Sequence, residues 1–155
     1  MKITDSLTKS AILPNLAATD KKSVLYELTA PLAKQMDYDQ ELLVKVLMER
    51  ERLGSTGLQG GIAIPHGKLP DIANLVLGFG LSANGVEFES MDGRPAHIFF
   101  VLITPTASTD LHLQMLARLS RMLKNETFKS RLKSAKDRDQ ILEILRSEDN
   151  NANLM

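Results

Sequence analysis

Residues 96–103 read AHIFFVLI, a run in which only His97 is polar. Rich in β-branched and aromatic residues and without apolar/polar alternation, it has the pattern of a central strand covered on both faces. A strand of that kind requires a helical layer on each side. Upstream, residues 62–64 and 75–81 are similar short apolar runs set off by Gly, Pro, Asn and Asp, so they also read as strands. Asn84-Gly85 signals a turn, with residues 86–88 as a short strand after it, and Met91-Asp92-Gly93 signals a second turn. The apolar run at 11–16 contains Pro14, which suits an edge strand.

Outside this block the period becomes helical. Val24, Leu25, Leu28, Leu32 and Met36 share one face of a first helix, and Pro31 within it is expected to kink or divide it. Asp37 followed by Gln40 resembles a capping box opening a second helix, with Leu42, Leu43, Val46 and Leu47 as its apolar stripe and its end near Arg52. Leu111, Met115, Leu116, Leu119, Met122 and Leu123 mark a third, started by Ser108, Thr109 or Asp110. A short helix follows near 126–132, and Asp137 with Gln140 caps a last one carrying Ile141, Leu142 and Leu145. Helices on both sides of a strand block predict a three-layer α/β/α sandwich around a central mixed β-sheet. Positions 1–147 are expected to form one domain, and the polar tail 148–155 is expected to fray.

Bulk properties narrow the function. The 155 residues carry 19 basic and 19 acidic side chains, so no overall field draws the chain to nucleic acid. There is no cysteine, which excludes disulfides, thiolate nucleophiles and cysteine-bound zinc. No stretch has the length of a membrane span or of a leader's apolar core, so the expectation is a soluble, unprocessed, cytoplasmic protein.

Three histidines carry the available chemistry. His97 sits at a strand start, where a histidine ordinarily makes one structural hydrogen bond. His66 stands in GLQGGIAIPHGKL, where Pro65 fixes the backbone before it and Gly67 clears space after it, a turn that exposes a side chain at a sheet edge. The glycines would let backbone N–H groups approach an anion such as a phosphoryl group. A histidine that only caps a strand is the plainer alternative. His112 lies in the first turn of the third helix, where the helix dipole favours the neutral ring, and it reads equally as a boundary packing residue. Arg50 continues the stripe of Leu43, Val46 and Leu47, so it points inward and needs an anion or a route to water. Arg52 and Lys68 are alternatives for the same charge.

The stretch ERERLGSTGLQGGIAIPHGKL at 49–69 resembles the type 2 (fructose/mannitol) enzyme IIA domain of the bacterial phosphoenolpyruvate-dependent phosphotransferase system, and within it the stand-alone nitrogen-regulatory branch. The strand DGRPAHIFFVLITP and the helix LHLQMLARLSRML fall where that family has equivalents. The resemblance implies that His66 is phosphorylated, that His112 is the second active-site histidine, and that Arg50 contacts the phosphoryl group. It places Thr56, Gly67 and Lys68 in the phosphoryl-binding loop, with backbone N–H groups of the glycine loop as further ligands and neither metal nor cofactor required. It implies an HPr-like phosphocarrier as donor, and potassium-transport or sensor-kinase proteins as regulated targets. A sugar-specific role, with phosphate passed to an enzyme IIB, is the alternative within the family. Gln59-Gly60-Gly61 departs from the more usual Gly-Asn-Gly, and Pro31 is unusual in the first helix. Two rivals come from other classes: a pure interaction module, expected to lose His66 or Arg50, and a metal-dependent hydrolase built on His66, His112 and Asp71.

Overall fold

The computed structural model describes residues 1–153. Its sheet is built from β1 (Leu7–Leu13), β2 (Ile62–Ala63), β3 (His66–Leu69), β4 (Val76–Val86) and β5 (Ala96–Pro105). β5 pairs antiparallel with β4, which pairs parallel with β1 at one edge; β2 and β3 lie one after the other along the far side of β5, parallel to it. The sheet is therefore mixed, and β5 runs through its middle, buried apart from half-buried His97. Helices α1 (Lys21–Met36) and α2 (Gln40–Arg52) cover one face, and α3 (Thr109–Met122), α4 (Glu126–Ser134) and α5 (Arg138–Asn153) the other. Phe79 and Phe100 meet edge to face across β4 and β5 with ring centroids 4.9 Å apart, a geometry worth roughly 0.5–1.5 kcal/mol beyond the area buried. Among the described residues, no helix is long and apolar enough to cross a membrane.

Several local expectations are corrected. Strand β1 is at the edge as expected, but it starts at Leu7 and Pro14 follows its end. Helix α1 is not divided at Pro31. Leu28 and Leu32 pack into space left by Gly80 and Gly78 of β4, so packing offsets the bond that Pro31 cannot donate to the Glu27 carbonyl, while Gln40 Nε2 donates to the neighbouring Tyr26 carbonyl at 2.7 Å. The same Gln40 forms no capping box with Asp37. Asp37 ends α1 in a left-handed conformation with φ 51, and Asp39 opens α2 by accepting from the Glu41 N–H. On α2, Leu42 is exposed and Val44 takes its place in the core.

Asn84-Gly85 does not reverse the chain: β4 continues to Val86 past an irregularity after Leu81, with Gly85 at φ 91 and its N–H on Ser82 Oγ. The 86–88 strand is thus the end of β4, followed by buried Phe88. Met91-Asp92-Gly93 does turn, closed by a 2.9 Å bond from Gly93 N–H to the Ser90 carbonyl. The Asp137 and Gln140 cap forms, Asp137 Oδ1 accepting from Gln140 N–H at 2.9 Å. Helix α5 passes position 148, where fraying was expected. Buried Asp149 explains this by accepting from the N–H groups of Ile3 and Thr4 and from Arg118; Leu154 and Met155 lie outside the described residues.

Candidate active site

Strand β3 was not foreseen, since it has only four residues, alternately half-buried and buried. In a parallel ladder each residue turns both backbone groups to one side. Pro65 and Leu69 accept from Leu102 and Thr106 of the β5 side, which leaves the backbone groups of His66 and Lys68 turned to the open edge. Their side chains share the face carrying α3. Gly67 faces the other way, where an added Cβ would stand 2.5 Å from Val46 Cγ1 of α2. The space it clears is thus for the helix that carries Arg50. Gly67→Ala is expected to destabilise by roughly 1–3 kcal/mol through overpacking, read as a lower denaturant midpoint, with most of the loss recovered by adding Val46→Ala. An unchanged midpoint would dismiss the close-approach argument.

His66 is half-buried, and its Nδ1 lies 2.7 Å from the Ile64 carbonyl oxygen. A carbonyl only accepts, so Nδ1 carries the proton and Nε2 keeps a lone pair. Burial pushes the imidazole below its ordinary pKa; the bond to Ile64 opposes this, Arg50 and Lys68 add to it, and Glu51 pulls the other way. The neutral, nucleophilic ring is the resting form. His112, only 5% exposed on α3, has its ring centroid 5.3 Å from that of His66 at an interplanar angle of 59°. Its pKa is lowered to about 4 by burial, then by the charges of His66 and Lys68. His112 Nδ1 is 2.8 Å from Thr104 Oγ1, and Lys68 Nζ donates to Thr109 Oγ1 at 3.2 Å.

Arg50 is half-buried on the flank of α2, with Nη1 donating to the Gly54 carbonyl at 2.9 Å. The charge that actually turns inward is Glu51, 6% exposed, which follows Leu43 and Leu47 at four-residue spacing. Its carboxylate accepts the N–H and the hydroxyl of Thr56 and pairs with Lys21 Nζ at 3.0 Å. Thr56 therefore holds its loop to α2 through Glu51, and its hydroxyl proton is committed there. In the sequence Glu51 is marked only by that spacing, since its neighbour Arg50 is the more conspicuous anion-binding candidate. Several donors of the glycine loop have partners of their own. Gly57 N–H goes to Ser55 Oγ, Leu58 N–H to the Ile62 carbonyl and Gly60 N–H to Asp92, so these donors are engaged within the loop's own surroundings.

His97 makes the structural bond expected of it, Nδ1 donating to the Ser82 carbonyl at 2.8 Å. Asp71, third member of the metal-hydrolase alternative, accepts from the Tyr38 hydroxyl. Among the described residues no three His, Asp or Glu side chains converge as metal ligands, so Asp71 does not join the histidine pair.

At the edge of an α/β/α sheet this arrangement sets a neutral histidine with a free Nε2 beside a second histidine and between two cations, a geometry that could bind an anion and offer a nucleophile to it. Residues 5–148 match the family described as phosphoenolpyruvate-dependent sugar phosphotransferase system, EIIA 2, and the chain belongs to that family. A nitrogen regulatory protein of Bradyrhizobium diazoefficiens is 38% identical over 148 residues, covering 94% of this chain and 95% of that protein. The fructose-specific EIIABC component of Bacillus subtilis is 37% identical over 150 residues, 96% of this chain and 24% of that longer protein. The crystal structure of nitrogen regulatory protein IIA-Ntr from Neisseria meningitidis superimposes with a TM-score of 0.87 at 28% identity, covering 92% of this chain and 98% of that one.

Proposed function

We propose that this chain is a regulatory phosphohistidine carrier, with His66 taking a phosphoryl group from the phosphohistidine of an HPr-like protein in the cytoplasm. The lone pair of His66 Nε2 attacks phosphorus, the donor's P–N bond breaks, and its electron pair returns to the donor ring. Positive charge arising on the His66 ring is shared through Nδ1–H with the Ile64 carbonyl. Such transfers depend chiefly on positioning and on stabilising charge on the equatorial oxygens. Arg50, Lys68 and His112 supply donors for those oxygens, and Gly67 lets α2 bring Arg50 close. The observation that carries the reading is the His112 ring set 5.3 Å from that of His66, whose own Nδ1 bond to the Ile64 carbonyl leaves Nε2 free to attack.

Phosphorylation then adds a charge of about −1.5 to −2 at the open sheet edge. Leu53 and Leu113, both exposed, lie close in sequence to Arg50 and His112 and offer apolar surface for a transient partner. The added charge changes which proteins dock there. Potassium-transport or sensor-kinase proteins are the targets that the resemblance of the 49–69 stretch to the nitrogen-regulatory branch implies. The 37% identity with a fructose-specific component favours a second reading, in which phosphate moves on to an enzyme IIB. Incubation with phosphoenolpyruvate and the carrier proteins should give an acid-labile, alkali-stable phosphate on this chain. Absence of label would remove the relay reading, and rapid passage of label to an added enzyme IIB would favour the sugar-transport role.

A further inference from the structure

We propose that Thr104 is a positioning residue that fixes His112 in the tautomer with its proton on Nε2, opposite to the tautomer of His66. Thr104 is wholly buried on β5, and its register partner across the ladder is Lys68, so its side chain rises on the same face as those of His66 and Lys68. Its hydroxyl meets His112 Nδ1 at 2.8 Å, across eight residues of sequence. Among the described residues no other side-chain hydrogen bond of Thr104 is found, and a buried hydroxyl proton without an acceptor is costly. Oγ1–H therefore donates to Nδ1. A neutral imidazole carries one N–H, so the proton of His112 sits on Nε2.

The chemical consequence rests on the reading of His66 as phosphoryl acceptor. The two rings offer complementary atoms: a lone pair on His66 Nε2 to bond phosphorus, and an N–H on His112 Nε2 to donate to a phosphoryl oxygen. With the tautomer reversed, a lone pair on His112 would face the oxygens' own lone pairs and repel them. Because the arrangement donates from an uncharged ring, no proton has to be taken up when phosphate arrives. Neither Thr104 nor its link to the site shows in the sequence, where it is one polar residue at the end of an apolar run.

The test uses the full chain labelled with 15N-histidine and two variants, Thr104→Val and Thr104→Ser. In the resting wild type, the His112 ring should show a protonated Nε2 and an unprotonated Nδ1. Thr104→Val should average those two signals and slow phosphoryl acceptance from the phosphorylated carrier about ten- to a hundredfold, the range seen when an orienting partner of an active-site histidine is removed. Thr104→Ser should restore both. A wild-type ring with its proton on Nδ1 would overturn the assignment, as would a valine variant with wild-type ring signals and rate. The ring signals are read without phosphate, so they judge Thr104 even if the chain takes no label, an outcome that would defeat the relay reading alone.

Discussion

Replacement of His66 by alanine is expected to abolish acceptance of phosphate, leaving no acid-labile label above background. His97 is half-buried and holds its Nδ1 proton on a carbonyl in the same way, but His66 has the second ring of His112 5.3 Å away and the charges of Arg50 and Lys68 acting on it, and His112 itself is buried. Stability should change little, by roughly 1 kcal/mol or less, since a half-buried residue loses one hydrogen bond to a carbonyl. Label persisting in a folded His66→Ala protein would move the site elsewhere. In the wild type, the rate should follow the neutral fraction of His66. Because burial and nearby cations hold its pKa below the ordinary 6.5, acceptance should stay level as pH falls through 6.5 and decline only at lower pH. A decline centred above 6.5 would contradict a half-buried ring flanked by cations.

The layers were legible because they depend on periodicity, which local sequence carries. The run at β5 and the helical faces led directly to the sandwich, and the turn at Gly93 followed from its residue types. What was not legible depends on distant partners. Strand β3 exists because Gly67 and Leu69 find β5, thirty-six residues away by the register of His66 with Leu102. Gly85 has the chemistry of a turn, yet Pro95 and His97 pack against it and the strand continues through an irregularity instead. Asp37 carries the right residue type for an N-cap, but the chain enters the left-handed region there and hands the role to Asp39.

The site divides in the same way. His66, His112 and Arg50 are recognisable as residue types in a motif. That both histidines are neutral follows from burial, and which ring nitrogen holds each proton follows from Ile64 and Thr104, neither of which announces itself in one dimension. Glu51 is the sharper lesson. At a core position of α2 its charge is offset by Lys21 and Thr56, and through them it ties the end of α2, which bears Arg50, to the chain just before the glycine loop. A buried carboxylate in such a place fixes the Thr56 end of the loop against α2, although only its hydrophobic spacing marked it in sequence.

Arg50 should then tolerate no replacement. Its bond to the Gly54 carbonyl uses one of five N–H groups and holds the guanidinium plane, leaving the others for phosphoryl oxygens. Arg50→Ala is expected to slow phosphoryl acceptance about 10²–10³-fold, the cost of removing one donor to developing charge. Arg50→Lys keeps the charge but loses the planar fork, so it should recover only part of that loss. The two variants separate contact from field through a second measurement, the His66 pKa by NMR. Arg50 helps to hold that pKa down, so alanine should let it rise toward the ordinary value, whereas lysine should keep it low. A large rate loss in the lysine variant with an unshifted His66 establishes direct contact with the phosphoryl group. A raised His66 pKa in the alanine variant with an undiminished rate would instead confine Arg50 to acting on the ring through its charge, and leave Lys68 and His112 to hold the phosphate.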